Sequence, residues 1–187
     1  TGTPMSVTAP VIFAERMTDG MSMLLLASVG LFAFGDTTAR SVAALVLATS
    51  LVTIVIIQIR PLALRLLEVG KHLPIVKRFA DHFFSFYESS YLIFRPRHLL
   101  ISLGIGIVSW AAEGIAYYLV LVGFGAPASR QTLVIAVFIF CISTVIGALF
   151  ATPGGLGGVE GSLVALSVRL LMLPTALATA AALLIRF

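Results

Sequence analysis

Long apolar runs separated by short polar, glycine or proline breaks dominate the chain, and their lengths predict transmembrane helices. The first run begins near Pro10, a residue favoured in the first turn of a helix. The predicted helices cover 10–34, 41–59, 99–122, 131–151, 159–172 and 174–187. The earlier ones are near the roughly 20 residues that cross a bilayer, whereas the last two are short and are expected to be re-entrant or broken. The pattern predicts an all-α polytopic membrane helix bundle.

Composition supports a membrane location. The chain has 187 residues, of which 59% are hydrophobic and 11% charged, and its mean hydropathy is +1.10. A soluble domain carries about 25% charged residues. The chain begins without a methionine and ends inside an apolar run. We therefore interpret 1–187 as one transmembrane domain fragment whose two ends look cut.

The stretch 60–98 differs from the rest because it is basic. It contains Arg60, Arg65, Lys71, Lys77, Arg78, Arg95 and Arg97. This excess of Lys and Arg places the stretch in the cytoplasm, so that helices 10–34 and 99–122 run outward. Its apolar residues recur at helical spacing, which indicates a cytoplasmic amphipathic segment: Ile75, Phe79, Phe83, Phe86 and Tyr87. It lies along the lipid headgroups or packs on the bundle as a helical hairpin, and both alternatives stay open.

A glycine-rich break with one carboxylate interrupts the apolar pattern at 153–162. Irregular backbone at membrane depth survives where protein buries it or where it lines a wet cavity. Glu160 starts the following helix, where a carboxylate is stabilised by free N–H groups. Such free N–H groups also bind anions such as phosphate. The alternative is that the spacing of the glycines serves close helix packing. The candidate substrate-binding residues here are Gly154, Gly155, Gly157, Gly158, Glu160 and Ser162.

Ionisable residues near the first helix form a second group of candidates. Glu15 and Asp19 lie on one helical face, and we expect a cation between them. Arg16 is not expected to reach that face, because sequence neighbours point about 100° apart. The expected counter-charges are Arg169, Arg186 or a cationic headgroup. The alternative is a solvated helix entry on the cytoplasmic side.

Glu113 is placed in the middle of a predicted span. No neighbour in sequence can neutralise it, so it requires a cross-helix partner, a proton or a ligand. A purely structural ion pair is the alternative. Arg169 and Arg186 could instead extend to an interface and stay solvated there.

Signatures of several enzyme and binding classes are missing. The chain has no Cys/His cluster for a metal, no complete dinucleotide fingerprint, no P-loop ending and no nucleophile elbow. We expect neither a metal nor a cofactor, and an enzyme is disfavoured for this stretch. Basic residues in a membrane chain mostly set topology, so nucleic acid is not an expected partner.

Three motifs together resemble one known family. They are Glu15-Arg16-x-x-Asp19, Trp110-x-x-Glu113, and the run from Pro153 to Ser162 followed by Pro174. The chain is similar to the lysylphosphatidylglycerol synthase transmembrane region, also called the flippase-like domain or UPF0104 group. The resemblance implies a multi-pass domain of a bacterial or archaeal cytoplasmic (inner) membrane with a re-entrant loop. It also implies that the acidic residues and glycines above carry function.

The expected function is that of a membrane lipid translocase. The resemblance implies that it moves a polar-headgroup lipid between leaflets, with aminoacylated phosphatidylglycerol as the lipid handled by the best-known members. Phospholipid and membrane are the expected partners, and a larger membrane complex or a homo-oligomer is left open. Two alternatives remain: a structural or accessory subunit, and the membrane half of a lipid-modifying or glycosyltransferase enzyme.

Overall fold

The fold consists of packed α-helices. A computed structural model describes residues 5–35, 37–59, 61, 65, 68, 96–150 and 152–186. Its elements are α1 (Met5–Phe34), α2 (Thr37–Gln58), α3 (Pro96–Gly123), α4 (Arg130–Leu149), a 3-10 turn (Pro153–Gly155), α5 (Gly158–Leu171) and α6 (Thr175–Arg186). No strand occurs among the described residues. The predicted all-α fold is confirmed.

The helix ends differ from the sequence prediction mainly at the first two helices. α1 begins at Met5 rather than near Pro10, and α2 begins at Thr37 rather than near residue 41. α4 ends at Leu149, earlier than expected. The basic segment 60–98 lies almost entirely outside the described residues. Its amphipathic character and its cytoplasmic position therefore stay predictions.

Helix α4 is the centre of the bundle. It packs against α1, α3 and α5, while α6 packs on α5 and α3. Several of its side chains are fully buried, among them Ile139 and Cys141. The N-cap of α4 is Ser129, whose hydroxyl accepts a 3.1 Å hydrogen bond from the Thr132 N–H. Such a cap satisfies one of the free donors at the helix start.

Glycine lets α3 approach its two neighbours closely. A Cβ at Gly106 would overlap the Ser22 side chain of α1, and a Cβ at Gly114 would lie 2.9 Å from the Val137 Cα of α4. The Ser22 hydroxyl is also 3.4 Å from the Leu103 carbonyl. In lipid the hydrophobic effect does not drive helices together. Small residues of this kind let the helix backbones approach closely, and the resulting packing stabilises their association.

Three helical stretches in the described part of the chain are long and apolar enough to cross a membrane. They are Pro96–Gly123, Arg130–Leu149 and Pro153–Leu171, and Thr175–Arg186 is a shorter apolar helix. Large apolar side chains of α2 and α3 are exposed, for example Leu45 and Val108. An apolar surface of this extent suits lipid contact or further membrane helices.

Candidate functional site

The segment between α4 and α5 forms a tight glycine loop, which we define as residues 152–162. Gly154, Gly155 and Gly157 adopt φ angles of +66°, +70° and +83°. L-residues with a Cβ are disfavoured there, so glycine makes this path accessible. The loop ends at α5, where the Glu160 carboxylate accepts a 2.7 Å hydrogen bond from the Gly157 N–H. The expected cap role of Glu160 is therefore present.

One face of the glycine loop is packed against α4. A Cβ at Gly158 would lie 2.7 Å from the Phe150 ring, and one at Gly155 would lie 3.2 Å from the Gly147 backbone. A Cβ at Gly147 would overlap the Val159 side chain. Gly155, Gly158 and Val159 are all buried. These glycines allow close helix packing, which was one of the two alternatives left open by the sequence.

The other face of the glycine loop is open. A Cβ at Gly157 or Gly161 would meet nothing within 4 Å, and one at Gly154 would meet only the Arg186 guanidinium at 3.9 Å. All three glycines are exposed. Ser162 is turned toward its own helix, because its hydroxyl donates to the Gly158 carbonyl at 2.6 Å. Besides backbone atoms, the loop carries the exposed Thr152 hydroxyl, which donates to the Leu156 carbonyl at 2.9 Å, and the partly buried Glu160 carboxylate.

Arg186, in the last turn of α6, binds the open face. Its Nε donates to Glu160 Oε1 at 2.9 Å, and its Nη2 donates to the Gly154 carbonyl at 2.6 Å. The side chains of Arg186 and Glu160 are 26% and 18% exposed. The pair is therefore mostly shielded from solvent. Arg186 was expected as a counter-charge for Glu15 and Asp19, and the structure pairs it with Glu160 instead.

Both charges of this pair also lie where helix dipoles favour them. Glu160 is in the first turn of α5 and Arg186 is in the last turn of α6. Anionic groups are stabilised at helix N-termini and cationic groups at helix C-termini. Arg169, the other candidate cation, is exposed at the far end of α5 and contacts no acidic group in the described stretches.

A second polar cluster joins α1 to α3. The Trp110 indole N–H lies 3.4 Å from Asp19 Oδ1, and Arg16 Nη1 lies 3.8 Å from Asp19 Oδ2. The expectation that Arg16 cannot reach this face was wrong. Its long side chain spans the turn from position 16 to position 19. The Arg16 side chain is 71% exposed, so this ion pair is weak.

Glu15 and Glu113 are both exposed. Neither has an ion-pair partner among the residues that the structure describes. Asp19 lies beside Trp110 and Ser22 lies beside Leu103, so α1 and α3 are antiparallel. The prediction that helices 10–34 and 99–122 both run outward is therefore wrong for one of the two. One turn beyond the Asp19 contact, Arg16 and Glu113 therefore lie at the same level of the two helices.

The candidate residues thus do not form one site. Some of them fall into two clusters, while Glu15, Glu113 and Arg169 are exposed and belong to neither. The loop cluster contains Glu160, Arg186 and the loop glycines, and the α1–α3 cluster contains Asp19, Arg16 and Trp110. No hydrogen bond or ion pair joins the two clusters within the described ranges. The sequence motifs gave no information on this separation.

Two polar contacts were missed by the sequence reasoning. Trp110 entered only as part of a motif, although a buried indole N–H usually requires an acceptor. Tyr117 and Ser167 are joined by a 2.7 Å hydrogen bond between α3 and α5. The signal in both cases is an aromatic residue with a polar atom in the middle of an apolar run.

Comparison with known proteins connects this architecture to one family. The family model described as "Lysylphosphatidylglycerol synthase TM region" matches residues 1–187. The chain belongs to this family. A UPF0104 membrane protein from Methanothermobacter thermautotrophicus is 36% identical over 64 residues, which is 34% of this chain and 18% of that relative. No solved structure matches the chain.

Membership in the lysylphosphatidylglycerol synthase TM region family agrees with the apolar helices described above. The chain is a membrane protein of a lipid-related family. The stretch matched in the archaeal relative covers less than a fifth of that protein's length. The match therefore does not transfer the activity of the whole relative to this chain.

Proposed function

We propose that this chain is part of a lipid translocase that moves a polar-headgroup lipid between the leaflets of a bacterial or archaeal cytoplasmic membrane. The headgroup would pass along the open face of the glycine loop while the acyl chains stay in the bilayer. Polar protein groups would replace the hydration of the headgroup, without which crossing costs many kcal/mol. Family membership supports a role with membrane lipids.

The observation that carries the proposal is the ion pair between Glu160 and Arg186. It lies beside irregular backbone, and Glu160 belongs to the apolar stretch Pro153–Leu171. Charges inside such stretches are costly and mark substrate or ion pathways. Broken helices whose ends face a substrate are a recurring element of transporters.

The chemistry of the glycine loop suits a headgroup with both signs of charge. Glu160 can accept an ammonium group, and Arg186 can bind a phosphate with its planar guanidinium. Aminoacylated phosphatidylglycerol carries an ammonium group and a phosphate. We propose this lipid class as the substrate on the basis of that match and of the family description.

A leaflet-resolved assay tests the proposal. The purified protein is reconstituted in vesicles that contain lysylphosphatidylglycerol, and an impermeant amine reagent measures the outer-leaflet fraction over time. Glu160→Gln should slow the exchange about tenfold, the loss expected for one charge-assisted hydrogen bond. Glu68→Gln, at an exposed position outside both clusters, is the matched control. Exchange at the wild-type rate in Glu160→Gln would defeat the proposal.

The packed face of the glycine loop favours a second candidate, a structural or accessory subunit. Gly147, Gly155 and Gly158 are in close contact, so the loop also acts as a helix-packing element. In that case the Glu160 and Arg186 pair serves helix association alone. Stable co-purification in a larger membrane complex, together with no lipid exchange, would support this candidate.

A further inference from the structure

The guanidinium of Arg186 holds two parts of the glycine loop at once. We propose that Arg186 acts as a latch: it covers the open face of the glycine loop, and a headgroup binds to that face only after Arg186 leaves Glu160. This inference rests on the proposed function, because it assigns the resting state of the same loop.

The latch has two arms. Nε binds the Glu160 carboxylate and Nη2 binds the Gly154 carbonyl, so one planar group connects the beginning of the loop to the first turn of α5. The fork of an arginine is suited to such paired contacts, and a lysine cannot reproduce both with the same geometry. Arg186 thereby occupies the acceptors that an incoming ammonium group would use.

The side of the loop opposite the latch is held by packing. Val159 is buried with 2% of its surface exposed, and Gly147 lies directly against it. The loop is therefore fixed to α4 on one side and to α6 on the other. When Arg186 leaves, the loop loses its hydrogen bonds to α6 and is held only by its contacts with α4.

The long side chain of Arg186 supplies the freedom that a latch requires. The helix α6 itself is held in place, because Ala178, Ala181 and Ala182 are fully buried. A change of the Arg186 side-chain rotamer, without a movement of α6, is therefore the step that releases Glu160.

An exchange of partners would keep the charges compensated during opening. Glu160 keeps the Gly157 N–H as a hydrogen-bond donor when Arg186 leaves. The released guanidinium requires an anion, and a lipid phosphate supplies one. A headgroup that carries both an ammonium group and a phosphate replaces both partners of the ion pair, so it is expected to favour the open state more than a headgroup with a phosphate alone.

Thiol labelling at Val159, on the packed face, measures how often the loop moves away from α4, and the loop should do so more often once Arg186 no longer holds its other side. Val159→Cys is placed in a Cys141→Ala background and is labelled with a maleimide in vesicles. In the latched state the thiol is buried, and labelling is slow. Adding Arg186→Gln should speed labelling about tenfold, because one charge-assisted contact of the closed state is lost. Adding Arg169→Gln, which removes an arginine from the same helical hairpin, should leave the rate unchanged.

Two further measurements complete the experiment. Arg186→Lys should give an intermediate rate, and it covers the case in which Arg186→Gln does not fold. The protein with Arg186 intact should label faster in vesicles that contain lysylphosphatidylglycerol than in vesicles of phosphatidylglycerol alone. Equal labelling rates in the arginine variants and in both lipids would overturn the latch.

The labelling experiment tests the latch and the lipid-exchange experiment tests the translocase, so either hypothesis can be rejected without the other. Labelling that responds to Arg186, without any lipid exchange, would retain the latch and reject the translocase. Lipid exchange that depends on Glu160, with labelling insensitive to Arg186, would retain the translocase and reject the latch.

Discussion

Tyr117 of α3 and Ser167 of α5 are joined by a 2.7 Å hydrogen bond between two fully buried side chains. The Tyr117 ring also packs against Phe140 of α4, with 6.1 Å between the ring centroids. One side chain therefore connects three helices at the centre of the bundle. α5 carries Glu160, so this contact helps to position the glycine loop.

Replacing Tyr117 by Phe should destabilise the fold by about 0.5–2 kcal/mol, because the Ser167 hydroxyl is left buried without its partner. Thermal unfolding in detergent measures the loss. Ser143→Ala is the matched control, since the buried Ser143 hydroxyl has no hydrogen-bond partner in the described part of the chain. Its removal should be neutral or stabilising. Equal destabilisation by both variants would contradict the assigned contact.

The two faces of the glycine loop predict opposite effects of added methyl groups. Gly147→Ala should destabilise the protein by about 1–3 kcal/mol, because the new Cβ overlaps Val159. Gly161→Ala should be neutral or stabilising by up to about 1 kcal/mol, because Gly161 is helical and open. Unfolding in detergent compares the two variants. If a headgroup crosses this face, Gly161→Ala should slow lipid exchange although the protein is at least as stable.

The two arginine ion pairs should differ in their effect on stability. Arg186→Gln is expected to cost about 1–3 kcal/mol, because it leaves a mostly shielded Glu160 without its counter-charge. Arg16→Gln should change the free energy of unfolding by less than about 1 kcal/mol, because that pair is exposed and long. Denaturant unfolding of both variants at low and high salt decides the matter. An equal loss from both would mean that burial does not separate the two pairs.

The side of the membrane on which each connection lies is testable with single cysteines in a Cys141→Ala background. α2 returns along α1, and α3 is antiparallel to α1, so the end of α2 and the connection between α3 and α4 lie at the same end of the bundle. Arg65→Cys and Ala128→Cys, both at exposed positions, should therefore react with an impermeant maleimide from the same side of the membrane. That side is the cytoplasm if the Lys and Arg bias sets the orientation, and both cysteines should then react only in permeabilised cells. Reaction from opposite sides would contradict the antiparallel packing.

The sequence predicted the helices and the loop because both leave local signals. Apolar runs, prolines and glycines mark where helices begin and end, and the carboxylate after the loop marked the start of α5. The observed helices differ from the prediction by a few residues at their ends. α2, for example, begins at Thr37, whereas the sequence predicted a start at residue 41.

The sequence could not predict which charges meet. Periodicity places Glu160 on a face of its own helix, but the neighbour of that face depends on how α6 folds back. The error about Arg16 has a different cause, because residues three apart are neighbours on a helix surface and its contact with Asp19 follows from helix periodicity. The division of the loop glycines into packed and open positions likewise depends on α4, which lies outside the motif.

The three-residue break at 172–174 has a consequence for how the protein enters the bilayer. It lets α6 return along α5, so Arg186 and Glu160 meet within a single hairpin. Because the two residues are close in sequence, we expect this hairpin to close before more distant helices assemble. A glutamate and an arginine that insert together are electrically neutral as a unit. Biogenesis of this part of the chain therefore does not require either ion to cross hydrocarbon unaccompanied, which is the costly step for a charged membrane segment.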